Sequence, residues 1–364
     1  MSERSKAVML HFDPALASLR DGLSVALQMG NTLWLANDET TSLERLTIQE
    51  SAPGDVVVCD EHQSFSLLEY LDLPLAQPDA EIDIEGLAYA ADSGYLWVVG
   101  SHSLKRKKAE AGKSAQKNIK RLSTVEADGN RYLLARIPVV QQNDSYELAN
   151  KAEPGKRTAA QLQGNALGNQ LTAEIAKDKQ LQAFLQIPGK DNGFDIEGLA
   201  VIGSRLLLGL RGPVLRGWSV LLEIEPELDR GSSDTLVLKK IGPDGCRYRK
   251  HFLDLNGLGV RDLCPSGDDL LILAGPTMDL DGPVTVFRWR GSVAADEESV
   301  VFTDQLETVL EVPFGHGDDH AEGMCRFDSG GQGEEVLLIV YDSAATWRKH
   351  GEAGVEADLF TLKS

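Results

Sequence analysis

One hexapeptide, Asp-Ile-Glu-Gly-Leu-Ala, occurs twice in this chain, at 83–88 and again at 195–200, each time ahead of a short apolar run. Self-similarity of this kind constrains a fold more than composition does, because it marks a stacked or radial architecture. A third copy reads Glu322-Gly323-Met324-Cys325, and a weaker fourth reads Arg261-Asp262-Leu263-Cys264. The fifth is Asp21-Gly22-Leu23-Ser24, which puts Asp21 in the Glu position. Downstream of the copies come "TLWLAND", "YLWVVGS", "LLLGLRG", "LLILAGP" and "LLIVYDS", apolar runs that end in turn formers, as buried strands do.

Another apolar run precedes each copy: "KAVMLHFDP", "EYLDLPL", "AFLQIPG", "KHFLDLN" and "TVLEVPF". A third follows each downstream run, for example "SLERLTI" and "WSVLLEIEP". The chain thus spells a four-strand unit five times in cyclic register. It starts on a fourth-type strand and stops on a third-type one. That phase predicts an all-β fold: a single β-propeller of four-stranded antiparallel blades, closed by the N-terminal strand so that no edge is left free. Five blades are expected. Six are the alternative, because the second module, roughly 76–190, is far longer than the rest. Its excess includes "NQLTAEIAKDKQLQAFL", of helix-forming composition, and is read as a basic, partly helical insertion at about 104–183. One domain then spans 1–364.

The chain carries a formal charge of −20, which argues against general nucleic-acid or anionic-membrane binding. No apolar run reaches the roughly 18–20 residues of a membrane span. The four cysteines, Cys59, Cys246, Cys264 and Cys325, are too scattered for a zinc ribbon or a disulfide framework. A cytoplasmic monomer is expected. Against the acidic background, 104–121 holds eight Lys/Arg and one Glu. Such a block reads as a solvated loop or as an arm that meets an anionic ligand.

The x-D-x-E-G-L-A pattern, repeated around a β-rich chain, resembles the phytase-like group of β-propellers. It resembles more closely an uncharacterised bacterial family assigned to that group. The resemblance implies the propeller fold and calcium held by acidic residues at the mouth of the central channel.

In a propeller the repeated motif would converge at one channel mouth. Its Glu position reads Asp21, Glu85, Glu197, Arg261 and Glu322. Two residues earlier stand Leu19, Asp83, Asp195, Gly259 and His320. Residues i and i+2 of a strand share a side, which pairs Asp83 with Glu85 and Asp195 with Glu197, although Leu87 has the same parity. Asp83, Glu85, Asp195, Glu197 and Glu322 are therefore candidate ligands for Ca2+ or another divalent cation, which takes six to eight oxygens. The other reading makes them loop caps, with Gly86, Gly198 and Gly323 permitting the turn. Asn37, Asp38, His102, Arg211 and Asp342, at the ends of the downstream runs, join the same face.

The expected activity is a metal-assisted phosphoester hydrolysis. Arg211 and Arg261 would stabilise negative charge, and His320 would serve as acid or base. His102, Lys105, Arg106 and Lys107 would bind an anionic small molecule or peptide, with Lys108 beside them. "GHGDDHAEG" at 315–323 has donors for a transition metal but also reads as a hydrogen-bonded loop. No nucleophile elbow or phosphate loop is present. The alternative function is a non-catalytic ligand- or protein-binding scaffold.

Overall fold

The computed structural model describes residues 6–49, 56–77, 80–142, 145–152, 157–328 and 335–362. It is a closed, mostly-β domain. The first strand, β1 (Lys6–His11), is followed by β2 (Leu23–Met29), β3 (Thr32–Asn37), β4 (Ser42–Ile48) and β5 (Val57–Ser66), an antiparallel ladder in chain order. The next ladder is β6 (Ile84–Ala90), β7 (Tyr95–Gly100), β8 (Leu134–Gln142) and β9 (Ala160–Leu162).

A third ladder runs through β10 (Asp195–Ile202), β11 (Arg205–Gly212) and β12 (Ser219–Ile224), passes a side strand β13 (Thr235–Leu238), and ends on β14 (Tyr248–Leu253). The fourth is β15 (Gly259–Ser266), β16 (Asp269–Gly275), β17 (Val284–Trp289) and, after side strand β18 (Ser299–Val301), β19 (Leu306–Val312). In the last, β20 (His320–Arg326), β21 (Val336–Asp342) and β22 (Gly354–Thr361) are completed by β1, in register from Lys6↔Leu359 to His11↔Gly354.

Each ladder is buried on both faces, which explains why its inner strands read as continuous apolar runs rather than as alternating ones. In β11, Leu206, Leu208 and Leu210 pack with the second ladder, whereas Leu207 packs with the fourth. Similar apolar layers join the first ladder to the second, the fourth to the fifth, and the fifth back to the first. The first strands of the ladders touch in the same cyclic order, β2 to β6 to β10 to β15 to β20 and back to β2.

Outer edges are covered by parallel pairing with a neighbouring module. β1 lies beside β5, β13 beside β9, and β18 beside β14. These contacts occupy backbone donors and acceptors that would otherwise invite another chain.

Two expected strands are not strands. "EYLDLPL" at 69–75 is a turn and an irregular segment, and the outer strand of the first ladder is β5 instead. Pro74 interrupts that run, and its Leu71 and Leu73 still bury between the first two ladders. "AFLQIPG" at 183–189 lies largely in a 3-10 helix, Gln182–Gln186, and the second ladder's outer strand is the three-residue β9. The long second module spreads its extra residues. The basic stretch is an arm between β7 and β8, in which a ribbon pairs Lys105–Arg106 with Val125–Glu126 and carries α1 (Ala115–Leu122). The helix-forming segment gives only α2 (Gln170–Ile175), capped by Asn169.

Candidate functional site

All five inner strands carry a β-bulge at the same place. In β6, Ile84 pairs with Gly100 and Gly86 with Val99, which leaves Glu85 outside the ladder. Glu197 in β10, Arg261 in β15, Glu322 in β20 and Ser24 in β2 are left out in the same way. A bulge breaks the two-residue alternation and re-aims the extra side chain. Glu85 can therefore face the neighbouring charges of Glu197, Asp83, Glu322 and Asp38 while Leu87 packs between the first two ladders.

The fifth ring position is thus Ser24, three residues beyond the Asp21 expected from "DGLS". Asp21 ends a 3-10 segment, and its carboxylate takes Lys349 Nζ at 2.5 Å. Ser24 Oγ donates to the Ile84 carbonyl oxygen at 2.6 Å, tying β2 to β6.

The motif glycines do not serve a turn. A Cβ on Gly86 would stand 2.5 Å from Leu199 Cβ, and one on Gly323 would stand 2.8 Å from Val25 Cα. Their missing side chains let neighbouring inner strands approach closely. In β15 the equivalent residue is Asp262, whose Oδ2 instead accepts the Met324 amide at 2.7 Å from β20. Backbone bonds continue the stitching between ladders: Asp83 N to Asp38 O, Ser101 N to Asp83 O and Ile196 N to Ser101 O, at 3.2, 3.1 and 2.8 Å.

The re-aimed side chains meet a dense charge network. Arg211 Nη1 lies 2.6 Å from Glu197 Oε1. Arg261 Nη1 reaches Glu197 Oε2 at 3.2 Å and Glu322 Oε1 at 2.6 Å. Arg131, just before β8, holds Asp83 at 2.7 Å and Glu81 at 3.0 Å. All three arginines are buried, as are Glu197 and Glu322. Buried charges are tolerable only when paired in this way.

Two other buried carboxyls have no such partner. Glu85 is 8% exposed and Asp195 4%, and neither makes a hydrogen bond or ion pair with a described residue. Burial, followed by the neighbouring Glu197, Asp83, Glu322 and Asp38, pushes Glu85 well above the usual carboxylate range. Burial and then Glu197 raise Asp195 to about 8, against the pull of Arg211 and Arg131. Asp38, at the end of β3, rises to about 8 through burial and the charges of Glu322, Asp83 and Asp342. Burial and Asp342 lift Glu322 to about 6 although Arg261 opposes them. Glu197 moves down, since Arg211 and Arg261 together outweigh its burial. Lys190, in the loop before β10, lies in the field of the same carboxylates. Crowding disfavours its charge, but Glu322, Asp83 and Glu197 hold the ammonium protonated.

Asp83, Glu85, Asp195, Glu197 and Glu322 therefore share one electrostatic neighbourhood with Arg211 and Arg261. Among the described residues, no three His, Cys, Asp or Glu side chains come together in a grouping suited to a metal ion.

His320 stands to one side. Its Nε2 is 3.4 Å from Asp281 Oδ1, and it lines a crevice with Leu280, Phe314 and Arg261. His102 is buried with both ring nitrogens engaged: Nδ1 donates to the Gly100 carbonyl at 2.7 Å, and Nε2 accepts from Asn169 Nδ2 at 2.7 Å. Burial lowers it to about 4, so it stays neutral. The arm's cations are largely paired within the protein. Lys105 meets Glu81, Arg106 meets Asp191, Lys107 meets Glu126 and Lys108 meets Asp279, at 2.7, 2.6, 2.6 and 3.2 Å. The last of these contacts carries the arm from the second ladder to the β16–β17 loop. Cys264 and Cys325 are buried free thiols in apolar layers.

Arg131 and Lys190 belong to the network without a repeated sequence signal. Each sits in a connection between strands, outside the repeated motif.

A closed all-β domain with a polar ring on its inner strands is the class this geometry defines. The chain belongs to the family described as "Protein of unknown function (DUF3616)", whose model matches residues 22–358. None of the curated proteins matches it. Among solved structures it is similar to Sqt1 of Saccharomyces cerevisiae, at 12% identity and TM-score 0.35 over 100% of both chains. A luciferin-regenerating enzyme shows 8% identity and TM-score 0.36 over 98% of this chain and 95% of that one. Hydrazine synthase of Kuenenia stuttgartiensis shows 9% identity and TM-score 0.31 over 91% of this chain and 55% of that one, so the chain spans about half its length. At such scores these likenesses carry no argument about the present chain.

Proposed function

We propose that this chain is a five-bladed β-propeller, one domain over 1–364 with its added segments between about 104 and 183, that works as a non-catalytic ligand-binding scaffold. The ladders are its blades, β1 closes the ring, and the bulged positions surround the mouth of the channel. One observation carries the binding role: Glu85 and Asp195 are buried at that mouth with no partner among the described residues. Their carboxyl oxygens are not fully enclosed, so solvent or a ligand can reach them, and a purely architectural ring gains nothing from crowding such unpaired groups together. The test is a thermal-shift panel of charged and polyhydroxylated small molecules on the wild type and on Asp195→Asn. Stabilisation by a ligand that the variant no longer responds to is the expected result. A panel in which nothing shifts the melting temperature would sink the reading.

A metal-assisted phosphoester hydrolase of the phytase-like group is the second reading, and it draws on the chemistry of the donors. Asp83, Glu85, Asp195, Glu197 and Glu322 are hard oxygen ligands of the kind Ca2+ prefers. As arranged, however, Asp83, Glu197 and Glu322 are already held by arginines. Arg211 and Arg261, assigned to anion binding in that mechanism, are occupied by the same pairs. Elemental analysis of purified protein and a phosphatase screen with and without EDTA test it. A metal-free protein whose melting ignores calcium removes it.

A cytoplasmic monomer completes the proposal. No helix among the described residues is long and apolar enough to cross a membrane. Sizing chromatography checks the monomer.

A further inference from the structure

The charges at the mouth fall into two groups. Three carboxylates, Asp83, Glu197 and Glu322, are matched by the guanidinium groups of Arg131, Arg211 and Arg261. What is left over is acidic. Asp38, Glu85, Asp195 and Asp342 have no ion pair with any described residue, and they come from the first, second, third and fifth ladders, so they surround the opening. Against these four stands one cation without an ion pair to a described residue, Lys190, whose side chain remains exposed. Four of the arm's cations, Lys105, Arg106, Lys107 and Lys108, are neutralised locally, which leaves Lys117 and Lys120 on α1 as arm cations without an ion pair to a described residue.

Taking the mouth as the binding site proposed above, we infer that its ligand is an organic cation bearing alkylammonium groups, which enters between the unpaired carboxyls and competes with the protein's own Lys190. An anion would meet the unmatched carboxyls, and every guanidinium it might use is already engaged. The surplus carboxyls are distributed around an opening rather than gathered at a point. That spread suits several ammonium groups on a flexible chain better than one small ion, which needs its oxygens converging within about 2.6 Å. Lys190 is the internal precedent, an alkylammonium held in the field of Glu322, Asp83 and Glu197. It sits on the 187–194 loop with no fixed carboxylate partner, so an incoming ammonium can take its place.

The competing role of Lys190 gives a test with opposite signs. Isothermal titration at low ionic strength and pH 8.5, where Asp38 and Asp195, raised to about 8, have largely lost their protons, would use three probes: spermidine, pentalysine and inorganic phosphate. Both amines are expected to bind the wild type, and phosphate is not. Lys190→Met should tighten amine binding roughly two- to fivefold by removing the resident ammonium, the scale of one exposed ion pair. Glu85→Gln with Asp195→Asn should abolish it, and Glu297→Gln, an exposed carboxyl elsewhere, should change nothing. Should the double variant fail to fold, the exposed Lys190 still decides the matter. Tighter binding of pentalysine than of spermidine identifies a lysine-bearing chain as the source of the ammonium, and the reverse order identifies a free amine. The inference is overturned if neither amine binds, if Lys190→Met weakens amine binding, or if phosphate binds and Lys190→Met abolishes it. A different ligand from the thermal-shift panel would leave the scaffold reading intact, whereas no ligand at all would end both.

Discussion

Arg261, on β15, donates to Glu322, on β20, at 2.6 Å, and neither residue exposes more than 8% of its surface. The pair joins two neighbouring ladders, and the same guanidinium reaches Glu197 on β10. Three ladders are thus linked through one side chain.

Removing that side chain should be costly. Arg261→Met leaves Glu197 and Glu322 with less counter-charge in a buried site, a change worth about 3–5 kcal/mol. Urea denaturation should show the loss as a lower midpoint. Arg290→Met, which breaks an exposed pair with Glu307, should stay within about 1 kcal/mol of wild type. Equal effects would mean that the ring is not electrostatically knit.

The motif glycines give a graded series. Gly86→Ala brings a Cβ to 2.5 Å from Leu199 Cβ and 2.8 Å from Val99 Cγ1, so inner strands must separate. Overpacking of this kind costs about 1–3 kcal/mol. Gly198→Ala meets Leu263 Cγ at 2.9 Å, at the branch point of a side chain, and should cost less. Chemical denaturation of both variants would measure the order.

Stability should fall as pH rises through neutrality. Asp38 and Asp195 titrate near about 8 in the fold, against about 3.9 in an unfolded chain. Between those values the folded protein keeps protons that the unfolded chain has lost, so this contribution is full near pH 4 and gone above pH 8. Glu197 and Glu81 shift downward from 4.5, and their opposite effect is confined to more acidic solution. Melting temperature should drop by about 2–4 °C per kcal/mol lost between pH 5.5 and 8.5. Asp195→Asn should flatten that slope, and an unchanged slope would remove Asp195 as its source.

The arm should be dispensable to the fold. α1 buries none of its residues, and Ile119 is 69% exposed. Replacing 107–123 by a short Gly-Ser linker should leave a single cooperative melt by circular dichroism, shifted by no more than about 3 °C. Loss of cooperativity would show that the Lys108–Asp279 pair holds ladders together.

Much of this organisation is legible in the amino-acid sequence alone. The five-fold recurrence and the cyclic phase of the strands point to a closed β domain, because apolar runs and turn formers are local signals. Glu85, Glu197, Arg261 and Glu322 stand out as one repeated position. Ser24 does not, since "DGLS" mimics the motif three residues too early and the true position is neutral. The bulge itself leaves no mark in composition. It emerges only when two strands are paired, which is why Leu87 competes on parity with Glu85 for the same side. Arg131 and Lys190 stay hidden for another reason: each comes from a connection outside the repeated motif. The outer strands are the least legible. β9 is only three residues long, and "EYLDLPL" has a strand's composition while its proline and its place in the core make it something else.

The five bulges separate two tasks that side chains usually share. A residue that makes no ladder pair can be exchanged without altering the register of its strand, so the backbone is indifferent to what stands at 24, 85, 197, 261 and 322. Mutual charge balance constrains four of them, and Ser24 is held by its hydrogen bond to the Ile84 carbonyl. The ring is in effect a socket with five interchangeable contacts, and replacing a complementary set of them would re-key the opening to a new ligand while the walls stayed as they are.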